Sequence, residues 1–102
     1  MIKELPKKLE GSGDTKGFTY EQKDKRHYGY IYRAQDSAGV VHFEVFERRL
    51  VHLFDFETNT QLEDQKVSYP KSNDFGVWAW CYRTYEQAWK KLEEIGECSK
   101  NN

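Results

Sequence analysis

The chain has 102 residues, with 16 Lys and Arg against 17 Asp and Glu and a formal net charge of −1. That length holds one domain and not two, and the near-neutral balance excludes a global electrostatic pull toward nucleic acid or anionic membrane. Three Trp, seven Tyr and six Phe, at ~150–250 Å² each, exclude a disordered chain and exceed what so small a core hides comfortably.

Residues 1–17 are charged and carry Gly11-Ser12-Gly13-Asp14 and Gly17, the composition of a flexible lead-in. The ordered domain is expected over 18–97. The opening Met1-Ile2-Lys3-Glu4-Leu5-Pro6 lacks the apolar run of a signal peptide, and no run approaches the ~20 residues of a membrane span. A cytoplasmic protein without a membrane partner is the expectation.

Phe18 to Lys23 alternates as a half-buried strand does, and Lys23-Asp24-Lys25-Arg26 reads as a turn. Tyr28 to Arg33 is the second strand, expected to place Tyr28, Tyr30 and Tyr32 on one face and Ile31 on the other. The turn cluster Gln35-Asp36-Ser37-Ala38-Gly39 then joins it to Val40–Arg48 as a hairpin. In that third strand Val41, Phe43 and Val45 share a face, with His42, Glu44 and Phe46 opposite. Phe46 breaks the polar side of the alternation, which either a bulge or burial on both faces would explain.

Leu50 to Glu57 gives a fourth strand, closed by a turn at Thr58-Asn59-Thr60. Gln61 to Ser68 is weaker, an irregular return or an edge strand. Tyr69-Pro70 requires extended backbone, and Lys71 to Gly76 forms a compact loop. Val77 to Arg83 is the last strand, with Trp78, Trp80 and Tyr82 expected on one side and Val77, Ala79 and Cys81 on the other. The helix that follows carries a Thr84 cap with Gln87 three residues on. Its apolar stripe is Tyr85, Ala88, Trp89, Leu92 and Ile95. Gly96 reads as its stop, leaving 98–102 as a disordered tail.

Chemistry is harder to find. The stretch Arg26-His27-Tyr28-Gly29-Tyr30-Ile31-Tyr32 resembles the aromatic nucleic-acid strand of RRM and cold-shock domains, in which rings stack on bases. It makes Arg26, Tyr28, Tyr30, Tyr32 and Arg33 a candidate binding surface. It departs from that motif in having His27 for the first glycine, and no helix precedes it. His27, His42 and His52 with Cys81 and Cys98 match no zinc spacing. Cys81 reads as a buried thiol, unbridged to Cys98. No nucleophile elbow and no Gly-rich loop before a helix occurs, so neither catalysis nor a cofactor is expected.

Tyr69-Pro70 through Asp74-Phe75-Gly76-Val77-Trp78-Ala79-Trp80 into Glu86-Gln87-Ala88, with Phe43-Glu44-Val45-Phe46 upstream, resembles small uncharacterised proteins of bacteria and their phages. The likeness spans roughly two thirds of the chain. It implies a small α+β fold and a phage or mobile-element origin, and it brings no activity and no functional residues.

The expected architecture is α+β: a meander-like antiparallel sheet of four to five strands with one C-terminal helix across one face. The aromatic surplus and the neutral charge point to a non-catalytic protein-binding module, such as a phage-encoded modulator of a host protein, acting as a monomer or weak homodimer. The alternative from another class is a single-stranded nucleic-acid-binding domain using the Tyr28/Tyr30/Tyr32 face.

Overall fold

A computed structural model describes residues 2–11 and 13–100. The Cys98 side chain and residues 101–102 lie outside the described residues, and with them the expectations of an unbridged Cys98 and of a disordered tail over 101–102; residues 98–100 of that expected tail are helical. The fold is α+β as expected, but the strands form two sheets. β1 (Ile2–Lys3), β7 (Thr60–Val67) and β6 (Leu50–Asp55) make a three-stranded sheet in the order β1-β7-β6. β2 (Lys8–Glu10), β3 (Thr19–Arg26), β4 (Gly29–Gln35), β5 (Val41–Glu47) and β8 (Ala79–Tyr82) make the five-stranded antiparallel sheet, in that order. The helix α1 (Tyr85–Lys100) closes the chain.

The expected lead-in therefore supplies two strands. β1 runs parallel to β7 with Ile2 opposite Gln65, and β2 pairs with β3 with Leu9 opposite Tyr20. Side chains reinforce this stitching. The Tyr32 hydroxyl donates to the Pro6 carbonyl at 2.6 Å. Tyr30 donates to Glu4 at 3.2 Å, whose other oxygen takes a 2.7 Å bond from Arg48. Lys8-Leu9-Glu10 offers only one apolar residue to a periodicity argument, which is why its strand was invisible in sequence.

The β4–β5 hairpin forms where its turn chemistry places it. The Asp36 carboxylate accepts from the amides of Ala38 and Val40, both at 2.9 Å, and Gly39 takes φ 89°, where a Cβ would be strained. The turn before it lies later than expected: Lys23 to Arg26 continue β3 across a register slip between Gln22 and Asp24, and the chain reverses at His27-Tyr28. The weak Gln61–Ser68 segment is the middle strand of its sheet rather than an edge, because the short β1 covers its far side.

The five-stranded sheet is buried on both faces, which settles the question Phe46 raised. One face holds Tyr20, Tyr30, Tyr32, Ala34, Phe46 and Ala79 beneath Val67 and Trp78, with Phe46 stacked on Tyr30 and Tyr32 at 5.5 and 5.8 Å between centroids. The other holds Ile31 and Val45 beneath Ala88, Leu92 and Ile95 of α1. Trp80 and Tyr82 join the helix side, whereas Trp78, which precedes β8, joins the opposite cluster. The expected single stripe is thus split, since alternation holds only within the strand. Trp89, expected in the helix interface, is 42% exposed, and Cys81 is exposed rather than buried.

At the helix start the Gln87 amide donates to the Thr84 hydroxyl at 3.2 Å, the cap the sequence promised. Gly96 does not end the helix, which continues to Lys100. A Cβ built at Gly96 would sit 2.6 Å from Tyr28 Cζ, so the glycine is there to admit a ring and not to stop a helix.

Candidate functional site

The five residues expected to form one binding surface are divided: Arg26 donates to the Tyr28 hydroxyl at 3.2 Å and Tyr30 lies beside Tyr32 with centroids 6.4 Å apart, but the five share no surface. Tyr30 and Tyr32 are fully buried, their hydroxyls turned to the N-terminal segment. The stacking face expected for single-stranded nucleic acid is therefore covered by the protein's own chain. Tyr28 is not in phase with them: it lies in the β3–β4 turn and packs with the helix-side cluster. Arg26 is held by Asp24 at 3.4 Å and by Glu93 of α1 at 2.9 Å. Arg33 stands opposite Phe43 on the helix-side face and donates to Gln35 at 3.1 Å. The strand alternation that puts Tyr30 and Tyr32 on one face puts Arg33 on the other.

Two other features remain open to solvent. The first is the hairpin of β6 and β7. Its base is part of the core through Leu50 and Val67. Farther out, Val51, Phe54, Phe56 and Leu62 are exposed, Phe56 to 87%. The Phe54 and Phe56 rings meet edge to face at 5.1 Å, so the tip carries a preformed apolar knob. The same stretch holds four carboxylates, Asp55, Glu57, Glu63 and Asp64, against one lysine, Lys66. Asn59, at φ 55°, makes the tight reversal between the strands. β6 is an edge of its sheet, a position that offers backbone donors and acceptors to another chain.

The second is a cleft of about 780 Å³ between the β2–β3 edge and the loop that carries Tyr69 and Phe75. At its floor is Glu44, 8% exposed, the one charged residue in the protein core among the described residues. One of its oxygens accepts from the Tyr69 hydroxyl at 2.7 Å, and the other lies 2.7 Å from His42 Nε2. Burying a carboxylate is costly unless it is bonded in this way. Its charge acts on its neighbours. Burial first, and then the Glu44 charge, pushes the Tyr69, Tyr20 and Cys81 protons to higher pKa.

Cys81 lies directly across from Glu44 in the β5–β8 pairing and lines the cleft. A thiol pushed up is the reverse of an activated nucleophile, whose thiolate is stabilised by positive charge. Among the described residues, no three of His, Cys, Asp and Glu come close enough to hold a metal ion, and no helix is long and apolar enough to cross a membrane.

Alternation places Glu44 on the Phe46 face, but a lone acid in a strand reads as a solvated position. The signal lay in its neighbours: a face that also carries Tyr30, Tyr32 and Phe46 has no room for a solvated side chain. Phe56 is in phase with Leu50, His52 and Phe54, and that alternation alone does not say whether the face is covered. No family model, no curated protein and no solved structure matches the chain.

Proposed function

We propose that this protein is a non-catalytic protein-binding module whose β6–β7 arm inserts the Phe54–Phe56 pair into an apolar groove on a partner protein, rimmed by Lys or Arg. The observation that carries this reading is Phe56, a large ring 87% exposed and packed edge to face on a second exposed phenylalanine. Leaving such area in water is unfavourable by about 25 cal/mol per Å², and exposed aromatics clustered on one element mark interaction sites. The carboxylates around the tip select a basic rim and would steer association electrostatically.

The test replaces both rings, Phe54→Ser with Phe56→Ser, and separately carries a photo-crosslinker at position 56 or at Glu86 on the exposed helix face. The expected result is a crosslink from position 56 alone, to a protein different from this one. Affinity for that protein should fall by at least about 100-fold in the double variant, as befits two central rings at ~2 kcal/mol or more, while the melting temperature stays put. Crosslinks only to a second copy of this chain, or binding untouched by the double substitution, would overturn the reading.

A further inference from the structure

We infer that the Glu44 cleft is a binding site for a small organic cation, one with an aromatic or aliphatic body and a protonated amine or amidine head. Three observations converge on that class. The volume, about 780 Å³, lies in the range of small-molecule sites and far above that of a packing defect. The walls include Tyr20, Tyr69 and Phe75, with Tyr20 and Tyr69 edge to face at 5.6 Å, flat surfaces suited to an apolar body and to a cation near a ring face. The floor is a carboxylate with each oxygen engaged once within the protein. A carboxylate has about four acceptor sites, so Glu44 retains capacity for a donor entering from the cleft.

The remaining charges agree. Glu10 and Glu44 line the cleft against a single ammonium, Lys71, a balance that favours cations and disfavours an anionic ligand. Tyr69 orients the carboxylate from one side and His42 from the other. A ligand head therefore meets a fixed acceptor and spends no binding energy on arranging it. Cys81 stands beside the same carboxylate, opposite Glu44 in the sheet, and so reports on the occupancy of the cleft without being needed for binding.

The test uses Cys98→Ser protein, which leaves Cys81 as the only thiol of the two in the chain. Its rate of reaction with a chromogenic disulfide is followed with millimolar phenethylamine, with phenethyl alcohol of the same shape, and with phenylacetate. The amine should slow labelling severalfold, and the alcohol and the acid should not. In Glu44→Gln, which keeps acceptor and donor atoms for Tyr69 and His42, the amine concentration needed should rise about 10- to 100-fold, as for a lost bond to a charged group. Ser72→Trp, on the cleft rim, should abolish protection without touching Glu44, so the result does not hang on one variant's folding. Equal protection by the neutral alcohol, no protection by the amine, or protection unchanged in both variants would overturn the assignment.

Discussion

Gly96→Ala in the presence and absence of the Tyr28 ring tests the packing of the helix end against the β3–β4 turn. An alanine in place of a helical glycine normally stabilises by up to about 1 kcal/mol, because it restricts the unfolded chain. Here the added methyl would stand 2.6 Å from Tyr28 Cζ, 2.8 Å from its hydroxyl and 2.9 Å from Cε1, where carbon contacts settle near ~3.5–4.0 Å. The ring must retreat by about 1 Å. It is not free to do so, being edge-on to His27 at 5.0 Å and accepting a 3.2 Å bond from Arg26. Overpacking of this kind costs ~1–3 kcal/mol, so Gly96→Ala alone should be neutral to about 2 kcal/mol destabilising. In a Tyr28→Ala background the clash is gone and the same change should stabilise by roughly 0.5–1 kcal/mol. Urea unfolding of the four proteins measures the coupling, expected at ~1–3 kcal/mol. Equal effects of Gly96→Ala in both backgrounds would refute the close approach.

Other expectations follow from burial and charge. Gly29→Ala places a Cβ 2.7 Å from the Phe46 carbonyl oxygen and 3.0 Å from Leu92 Cδ1. Backbone of a paired strand cannot yield, so the melting temperature should fall by about 8–16 °C, equivalent to ~2 kcal/mol; a shift under a degree or two would contradict the packing. Leu92→Ala, at a fully buried site, should cost ~2–5 kcal/mol and more than Trp89→Ala at its half-exposed one, and denaturant midpoints showing the opposite order would reverse the helix orientation. For Glu4, burial acts upward, but the bonds from Arg48 and Lys25 outweigh it and hold the carboxyl below its ordinary 4.5. A lowered carboxyl stabilises the fold above its unfolded pKa and loses that contribution as pH falls through the folded value. Because Glu4 is 39% exposed, the effect is screened to under about 1 kcal/mol. The stability gap between wild type and Glu4→Gln should hold from neutral pH down to the ordinary 4.5, shrink as pH falls on through the folded value and narrow with salt; a gap that does not shrink on acidification would remove Glu4 from the account.

Much of the architecture was legible because local chemistry and tertiary packing agreed. The Asp36–Gly39 turn, the alternation of Val41 to Phe46 and the Thr84 cap each specify their element without outside help. The features that were not legible depend on what lies across space. A sheet covered on both faces erases the polar half of the alternation, so Tyr30 and Tyr32 looked like an outward aromatic face when they are the centre of the core. Trp78 shares parity with Trp80 in sequence but sits before the strand begins, where alternation has no hold. Gly96 carries the signature of a helix stop, and only the Tyr28 ring above it shows another use. The buried carboxylate of the cleft was hidden for a related reason: nothing local distinguishes an acid that faces water from one that faces Tyr69, more than twenty residues away.

The parallel pairing of Ile2–Lys3 with Gln65–Lys66 joins two segments more than sixty residues apart in the chain. A pairing so distant in sequence must meet a large loop-closure cost first, so the small sheet is among the last parts to form. Removing Ile2 and Lys3 would uncover the edge of β7 at Gln65 and Lys66, near the base of the hairpin. A variant lacking that two-residue strand should therefore self-associate along the bared edge of β7, since an unpaired strand offers its backbone donors and acceptors to a second copy.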